Sequence, residues 1–382
     1  MAKTMLMVTS VASMIKQFNM DNIAILQELG YQVHVATNFE HGSTMNAEEN
    51  RRLKKELKMS GVMIHQIDFP RGVGTLNTLT TALKQLSNLV KKNQYYFIHC
   101  QSPIGGVCGR LVGHQQKIKV IYTAHGFQFF YDGPKKDWLL FYPVERFLAR
   151  YTERILTINH DDFALAQRFP HTKVSYIPGV GIDYNEITES IYTEKEITEL
   201  RKELNIPADA FIIISVGELS KRKNHQVIIK AMAKLKFSKV YYLICGHGDE
   251  RENLLKLANQ LGLSSQVKLL GYRTDISKLL RLADISAFPS LREGLGLAGI
   301  EAMAAGLPII TSNVQGIKDY SVNGVTGYIE NPLDVNGFSK AIENLIKDTD
   351  LRYKIGKFNI KQAKRFDINN VNKIMKEVYS EI

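Results

Sequence analysis

The chain has 382 residues, of which 45% are hydrophobic and 23% are charged, as in ordinary folded soluble proteins, and this length suggests two domains. Its apolar runs are shorter than the roughly 20 residues of a membrane-spanning helix, and Cys100, Cys108 and Cys245 lack the spacing of a zinc site. The net charge of +11, larger in the first half, suits an anionic membrane or a phosphorylated substrate, and the lack of a nucleic-acid-binding motif argues against nucleic acid.

The N-terminal sequence MAKTMLMVTSVASM is apolar, but it has a single lysine and is interrupted by Thr9, Ser10 and Ser13. These features predict a buried first strand and not a signal peptide. The three cysteines are interpreted as small buried hydrophobic residues. Both observations favour a reducing cytoplasm as the location of the protein.

Short strand-like runs alternate with helical patterns along the first half of the chain. Strands are predicted at TMLMVTS, YQVHVAT, VMIHQID, YYFIHC, KVIYTAH, ERILTIN and KVSYIPG, and helices at 20–29, 47–59, 76–91 and 106–115. This alternation indicates a parallel sheet with helices on both faces.

A second set of strands follows a break in this pattern. Residues 182–210 are charged and poor in strand-like runs, and strands are then predicted at AFIIISVGE, KVYYLICGHGD, QVKLLGY, ADISAFPS and LPIITS. The boundary is placed near Gly181. The sequence therefore predicts an α/β protein of two doubly wound, Rossmann-like domains that face a cleft, where ligands bind beyond the carboxyl ends of strands.

Residues 290–313, SLREGLGLAGIEAMAAGLPIITSN, give the strongest indication of function. The pattern predicts a strand end, a glycine-rich loop, a helix over 297–305 and another strand. Gly294 and Gly296 allow a ligand to approach the backbone closely. The N-terminus of the helix carries partial positive charge, which suits a diphosphate.

Two glutamates lie in this stretch, Glu293 in the loop and Glu301 in the helix. A carboxylate can accept hydrogen bonds from sugar hydroxyls, although Glu301 could equally lie on a solvated helix face. The stretch resembles the donor-site signature of the family four retaining glycosyltransferases, which have the GT-B fold. That signature has two glutamates separated by seven residues and then E-A-M-A-x-G-x-P.

The resemblance implies a role for each residue of the signature. Glu293 would contact the donor sugar, and Glu301 would bind the ribose hydroxyls of the nucleotide. The backbone of four consecutive residues would contact the diphosphate, and these are Gly294, Leu295, Gly296 and Leu297.

The segment SVGELSKRKNHQ follows the first strand of the second domain. Arg222 and Lys223 stand at a predicted helix start, where two cations could bind a diphosphate, and a solvated basic turn is the alternative. The family has G-R-L-x-x-x-K-G here. Gly217, Leu219 and Lys223 match it. Glu218 and Asn224 replace its arginine and last glycine, which leaves the role of that arginine open.

Two further loops of the second domain, GHGDE and GYRTDI, follow its later strands. In the family such loops surround the nucleotide base. Tyr272 or Arg273 would therefore stack on or border a pyrimidine, and Asp275 fits the family's acidic position. Ordinary turn chemistry is the alternative for both loops.

In the first domain, TAHGF places His125 at a strand end, beside a glycine. A single histidine is usually structural, but the family has one at this place, near the sugar and phosphate of the donor. The resemblance therefore implies that His125 orients the donor sugar. In the first-strand turn, the hydroxyls of Ser10 and Ser13 would replace the contact that glycines make in many relatives.

Residues 135–154, KKDWLLFYPVERFLARYTER, mix basic and aromatic residues. We expect Lys135, Lys136, Trp138 and Phe141 to contact an anionic membrane surface or a lipid-linked acceptor, with Phe147 in the core. The alternative is a core helix with a basic outer face. Several enzymes of the resembling class take lipid-diphosphate acceptors.

No cluster of histidines, cysteines and acidic residues has the spacing of metal ligands, so we expect neither a metal nor another cofactor. In the resembling family, cations of the protein and a helix dipole stabilise the leaving diphosphate. Here His125, Glu293, Lys223 and Arg222 would be the catalytic group.

The resemblance is closest to bacterial enzymes that build capsule, exopolysaccharide or O-antigen units. It implies a retaining, metal-independent transferase that moves a sugar from a nucleotide sugar, preferably a UDP-sugar, to a glycan or polyprenyl-diphosphate-linked acceptor. Residues 1–182 would bind the acceptor, with the C-terminal helix 366–382 packed back on them, and residues 183–365 would bind the donor. The enzyme would be cytoplasmic and peripherally attached to the inner face of the membrane.

Two other classes of function stay open. A sugar-nucleotide epimerase or hydrolase of the same fold would need groups placed for proton abstraction. A two-lobed sugar-nucleotide-binding protein without catalysis would usually be exported, and no signal peptide is visible.

Overall fold

The computed structural model describes residues 3–42, 45–70, 72, 74–131 and 133–382. The chain forms two compact units, which are described separately. Unit 1 comprises Met1–Val180 and Asn369–Ile382, and unit 2 comprises Gly181–Ile368. Each unit contains one parallel sheet surrounded by helices.

Unit 1 has a seven-stranded parallel sheet in the order β3-β2-β1-β4-β5-β6-β7. Its strands are β1 (Thr4–Val11), β2 (Gln32–Asn38), β3 (Met63–Gln66), β4 (Phe97–Gln101), β5 (Lys119–Ala124), β6 (Arg154–Thr157) and β7 (Lys173–Tyr176). The central strands are buried on both faces, and for this reason their sequences are nearly continuous apolar runs.

The helices of unit 1 connect these strands. They are α1 (Ala12–Phe18), α2 (Met20–Glu28), α3 (Ala47–Met59), α4 (Leu76–Lys92), α5 (Pro103–Gln116), α6 (Lys135–Leu148) and α7 (His160–Ala166), and α16 (Ile368–Ser380) folds with this unit from residue 369 on. Asn46 caps α3 and Thr75 caps α4, each in a reciprocal capping box that fixes the helix start. Tyr379 of α16 is buried and bonds His99 of β4 at 2.9 Å.

Unit 2 has a six-stranded parallel sheet in the order β10-β9-β8-β11-β12-β13. Its strands are β8 (Phe211–Val216), β9 (Val240–Cys245), β10 (Val267–Gly271), β11 (Ile285–Phe288), β12 (Ile309–Ser312) and β13 (Gly327–Glu330). The order reverses between β8 and β11, and ligands of open α/β sheets bind beside such a switch point.

The helices of unit 2 are α8 (Tyr184–Glu189), α9 (Glu194–Glu203), α10 (His225–Met232), α11 (Arg251–Gln260), α12 (Ile276–Leu282), α13 (Leu297–Ala304), α14 (Val335–Lys347) and α15 (Thr349–Ala363). The chain enters and leaves the unit at one place. There the Ile182 amide donates to the carbonyl of Phe366 at 3.0 Å, and the Ile368 amide donates to Ile182 at 2.9 Å. Gly181 has φ +87°, and a Cβ on it would lie 2.5 Å from the Cα of Ile368, so this crossing needs glycine.

All three cysteines are buried and unpaired, as the sequence predicts. Burial raises the pKa of each thiol to about 12. No helix among the described residues combines the length and hydropathy needed to cross a membrane.

Helix α6 packs its aromatic residues against unit 1. Phe141 and Tyr142 follow Trp138 by three and four residues, and all three rings pack against the core of unit 1. The Trp138 indole also donates to the carbonyl of Phe130 at 2.8 Å. Both rings are nevertheless partly exposed, so the predicted contact of Trp138 and Phe141 with a membrane or a lipid-linked acceptor stays a prediction.

The exposed apolar side chains of α6 lie on its other side. We call them the α6 apolar face: Leu139, Leu140, Val144 and Phe147. Phe147 is 48% exposed, so its predicted place in the core is wrong. Lys135 and Lys136 are exposed at the start of the same helix.

Candidate active site

The predicted donor-site segments meet at the carboxyl edge of the unit 2 sheet. The turn after β8 holds Arg222 and Lys223, and the loop after the neighbouring β11 holds Glu293. The Leu291 amide donates to the carbonyl of Arg222 at 2.8 Å, and the Arg222 guanidinium donates to the carbonyl of Arg292 at 3.2 Å. These bonds hold the turn and the loop together.

Three charged side chains converge there. Oε2 of Glu293 accepts hydrogen bonds from Lys223 Nζ at 2.7 Å and from Arg222 Nη1 at 3.0 Å. Ser290 Oγ donates to the same oxygen at 3.3 Å. The side chains of Lys223 and Glu293 are 12% and 13% exposed, whereas that of Arg222 is 38% exposed. We call Arg222, Lys223 and Glu293 the charged triad.

The charged triad keeps Glu293 ionised. Burial alone would raise the pKa of this carboxyl, but the charges of Lys223 and Arg222 and its hydrogen bonds outweigh burial, so the pKa lies below its usual value. Within the charged triad, two cations and one anion leave one positive charge, which Glu218 beside Arg222 partly offsets. A diphosphate that enters here would find two donors partly removed from water, where charge-assisted hydrogen bonds are strong.

The path of Lys223 is fixed by its neighbours. A Cβ on Gly217 would lie 3.2 Å from Lys223 Cε, so the glycine leaves room for the lysine chain. Lys223 Nζ also lies 4.6 Å from the centre of the Phe288 ring. A cation–π contact of this kind holds the ammonium group in place.

The two departures from the family pattern have physical explanations. Asn224 adopts a left-handed conformation with φ +55° at the start of α10, which glycine prefers and asparagine tolerates. Its amide donates to the carbonyls of Pro289 and Pro332 at 3.1 and 2.7 Å. Glu218 lies 3.9 Å from Arg222, so it places a negative charge beside the guanidinium group of this turn.

The glycine-rich loop leads directly into α13. Gly296 has φ +87°, and a Cβ on it would lie 2.4 Å from the Phe288 ring, so no larger residue fits. It stands at the N-cap of α13 without a side-chain cap, which leaves the first-turn amides to other partners. The Leu295 side chain is 2% exposed and belongs to the core, so only its backbone faces the loop; Gly294 and Leu297 are partly exposed.

Glu301 lies in the second turn of α13 and is partly buried. Burial raises its pKa, and the charge of Glu186 on α8, which packs against α13, raises it further. Glu301 is therefore not a fully solvated surface residue. Burial and the charge of Glu186 are the causes of this shift, and no cation is among them to offset the burial of the carboxyl.

The loops after β9 and β10 pack near the charged triad. A Cβ on Gly246 would lie 1.9 Å from the carbonyl oxygen of Gly217, so the two turns touch. Tyr272 is 69% exposed. Arg273 is held by Asp275 at 2.6 Å and by Glu203 at 3.2 Å, and these bonds raise its pKa. The exposed Tyr272 ring stacks beside His247, with ring centres 6.4 Å apart, whereas Arg273 has two acidic partners.

Two residues of the site are not identified from the sequence. The Tyr320 hydroxyl donates to the carbonyl of Gly296 at 3.3 Å and supports the start of α13. Gln315 is 3% exposed with φ +26°, and neither polar atom of its side chain has a hydrogen-bond partner among the described residues. The adjacent Gly316 presses on the loop, since a Cβ there would lie 1.9 Å from the carbonyl oxygen of Gly294. Nothing in the local sequence around these residues signals such contacts.

In unit 1, His125 follows β5 and is partly exposed. Its Nε2 lies 2.6 Å from Oε1 of Gln101, at the end of β4, and the Phe18 ring lies 5.1 Å from the imidazole. Burial lowers the pKa of His125 to about 4, so the ring is neutral at pH 7. The carboxylate of Asp162 accepts a hydrogen bond from the Phe127 amide at 2.9 Å and fixes the turn after His125.

The first-strand turn is less open than predicted. Ser10 is 8% exposed and its hydroxyl bonds that of Ser102, which caps α5. Ser13 is 5% exposed inside α1. The Ser10 hydroxyl therefore serves an internal contact, and the predicted ligand contact of Ser13 stays a prediction.

Within the described part of the chain, no three histidine, cysteine or acidic side chains lie close enough to hold a metal ion. The positive charge of the unit 2 site comes from Lys223, Arg222 and the start of α13. Such groups can bind a diphosphate and stabilise charge that develops on it.

Comparison with known families supports this interpretation. The sequence model described as "Glycosyl transferases group 1" matches residues 196–362, and that described as "Glycosyl transferase 4-like domain" matches residues 16–179. EpsD of Bacillus subtilis (strain 168), a protein named as a glycosyltransferase, is 31% identical over 100% of this chain and 97% of its own length. The UDP-Gal:alpha-D-GlcNAc-diphosphoundecaprenol alpha-1,3-galactosyltransferase of Escherichia coli is 28% identical over 79% of each chain.

Solved structures share the fold. Anabaena Alr3699/HepE in complex with UDP and glucose superposes with a TM-score of 0.79 over 100% of both chains, at 21% identity. WaaG, a glycosyltransferase involved in lipopolysaccharide biosynthesis, gives 0.71 over 98% of this chain and 99% of its own, at 17% identity. The predicted fold class, α/β with two Rossmann-like doubly wound domains of the GT-B type, is thereby confirmed. The chain belongs to the family four glycosyltransferases and resembles enzymes of polysaccharide synthesis.

Proposed function

We propose that the protein transfers a sugar from a UDP-sugar to a glycan or polyprenyl-diphosphate-linked sugar in the synthesis of a bacterial surface polysaccharide. The charged triad beside the start of α13 carries this proposal, because it joins two diphosphate-binding cations to a carboxylate that can accept from a sugar hydroxyl. The E. coli relative is named for a UDP-sugar donor and a diphosphoundecaprenol acceptor. The HepE structures hold UDP.

We further propose that the reaction retains anomeric configuration and needs no metal. The bond from the anomeric carbon to the diphosphate oxygen breaks, and the acceptor hydroxyl bonds to that carbon on the same face. The hydroxyl proton passes to the departing diphosphate. Lys223, Arg222 and the amides at 294–297 would take up the charge that develops there. His125 would orient the donor sugar.

Binding of UDP and UDP-sugars is expected to raise the unfolding midpoint, because a ligand that binds only the folded state stabilises it. The measurement is thermal shift with UDP-, GDP- and ADP-sugars and the free nucleotides. A shift with the UDP series alone would identify the base, and uridine serves as a control without the diphosphate. No shift with any nucleotide would contradict the proposed donor site. Release of an epimer or of free sugar as the sole product would favour the epimerase or hydrolase alternative.

We also propose that the enzyme works in the cytoplasm, attached to the anionic inner face of the membrane through α6. The α6 apolar face stands beside the exposed Lys135 and Lys136, with Arg146 and Arg150 also exposed. Apolar side chains that enter the headgroup region, next to lysines that meet lipid phosphates, are typical of helices that lie on a membrane.

Lys135→Gln with Lys136→Gln is expected to weaken binding to vesicles of phosphatidylglycerol and phosphatidylcholine by about thirtyfold, at about 1 kcal/mol for each basic residue near the surface. Leu139→Ser with Leu140→Ser should weaken it through lost apolar burial. Binding is measured by sedimentation and should fall with salt.

The matched control lies on α3, where Arg51, Lys54, Lys55 and Lys58 line a basic groove next to the exposed Met59. Lys54→Gln with Lys55→Gln removes the same charge from a different helix. Equal losses for the two double variants would show that net charge alone governs binding, and wild-type protein that fails to sediment at low salt would contradict attachment altogether.

A further inference from the structure

Three side chains far apart in sequence form one hydrogen-bonded chain in unit 1. Asn19, between α1 and α2, is fully buried, and Gln101 at the end of β4 is 1% exposed. Their amide groups face each other and exchange hydrogen bonds in both directions, with Asn19 Nδ2 donating to Gln101 Oε1 at 3.2 Å. The same Gln101 oxygen lies 2.6 Å from His125 Nε2.

The orientation of both amides follows from one backbone group. Asn19 Nδ2 lies 2.9 Å from the carbonyl oxygen of Met14, which can only accept. The Asn19 atom at that position must therefore be the nitrogen, so Oδ1 faces Gln101 and requires the Gln101 NH2 as its donor. This leaves the Gln101 oxygen opposite His125. Because an amide oxygen cannot donate, the proton must be on His125 Nε2.

The other imidazole nitrogen of His125, Nδ1, is then unprotonated and can accept a hydrogen bond. No group among the described residues bonds to His125 Nδ1. The Phe127 amide donates to Asp162, and this hydrogen bond fixes the turn that carries the ring. The titratable neighbour His99 is bonded by Thr123 and Tyr379, and burial lowers its pKa to about 3, so it adds no positive charge. A neutral ring with its proton on Nε2 presents a lone pair on Nδ1.

We propose that Asn19 and Gln101 are positioning residues that hold His125 as the Nε2–H tautomer, so that Nδ1 accepts a hydrogen bond from a sugar hydroxyl and the ring does not act as a cation toward phosphate. The part that concerns the hydroxyl rests on the proposed function. The tautomer itself depends only on the packing of unit 1 and can be measured without any substrate.

The first measurement is the imidazole nitrogen spectrum of the ligand-free, ¹⁵N-histidine-labelled protein at pH 7, with His125→Gln to assign the signal. We expect a protonated Nε2 and an unprotonated Nδ1. Gln101→Leu should give a mixture of tautomers, and Gln115→Leu on the exposed end of α5 should not. A proton on Nδ1 in the wild type, or an unchanged tautomer in Gln101→Leu, would overturn the proposal.

The second measurement separates positioning from mere structural support. Gln101→Glu keeps an acceptor on Nε2 but adds a negative charge, which favours the imidazolium and raises the pKa of His125. UDP release from UDP-glucose, UDP-galactose and UDP-N-acetylglucosamine should fall by at least about tenfold at pH 7, in kcat more than in KM, and recover as pH rises. A loss that does not change with pH would refute the acceptor role.

The two measurements also tell the proposals apart. If the wild type turns over none of these donors and no nucleotide shifts its midpoint, the proposed function fails while the nitrogen spectrum still decides the tautomer. If the wild type is active and Gln101→Leu keeps its kcat, the positioning role fails while the proposed function stands.

Discussion

Lys223→Ala is expected to lower kcat/KM for sugar transfer by about 10²–10³-fold, as loss of one charged donor to a developing oxyanion does. The Lys223 side chain is 12% exposed and its ammonium group lies 2.7 Å from Glu293, so water cannot easily replace it. The loss should come from the diphosphate: affinity for UDP should fall with turnover, whereas weak binding of uridine should not change. Titration of the variant with both ligands checks this.

Lys221→Ala is the matched control, because Lys221 belongs to the same turn but is exposed and makes no contact with Glu293. Arg222 still pairs with Glu293 in the Lys223 variant, so the loop is expected to stay folded. Full activity of Lys223→Ala, or an equal loss in Lys221→Ala, would refute the role of the ammonium group.

The position of the charged triad could be predicted only in part. Glu293 and Gly296 are identified by their pattern, since a glycine-rich turn before a helix has a local signature. That Lys223 and Arg222 bond this glutamate could not be predicted, because the partners lie 70 and 71 residues apart and meet only when β8 and β11 pair. A sequence motif shows which residues are present, but the order of the strands in the sheet determines which of these residues come into contact.

The sequence of α6 contains a helical period that separates its two faces. Trp138, Phe141, Tyr142, Glu145 and Leu148 recur at the helical period, and all five turn toward the interior. The composition of this segment suggests an aromatic and basic surface. The positions of its residues around the helix instead separate these five inward-facing residues from the α6 apolar face. Even buried Glu145 fits among these five residues, because Arg110 pairs with it at 2.7 Å.

The network around His125 could not be predicted at all. Its members come from the junction of two helices and the ends of two strands, and their hydrogen bonds span 82 and 24 residues. Asparagine and glutamine also have no sequence pattern that distinguishes a buried network from a surface turn. The sequence does predict that a histidine follows β5 at the carboxyl edge, where polar residues of parallel sheets collect.

Glu301→Gln is expected to weaken UDP binding by roughly tenfold to a hundredfold, because a hydrogen bond to a charged group is worth about 1.5–3 kcal/mol. The predicted partners are the ribose hydroxyls. A UDP analogue that lacks both hydroxyls should bind the wild type and the variant alike, so the two losses should not add. Additive losses, or wild-type affinity in the variant, would exclude the ribose assignment.

The same substitution should stabilise the free protein at neutral pH. Burial and then Glu186 raise the pKa of Glu301 in the folded state, so the unfolded chain loses this proton first as pH rises. The contribution of Glu301 is therefore favourable below its unfolded pKa and is lost as pH rises through the folded pKa. Glu301→Gln should remove that slope and raise the midpoint at pH 7, whereas Glu189→Gln, on the exposed side of α8, should do neither. Glu301→Gln is thus expected to increase the stability of the free protein and to decrease its affinity for UDP. A residue that binds a ligand at a cost in stability gives this combination, and a solvated surface glutamate would not.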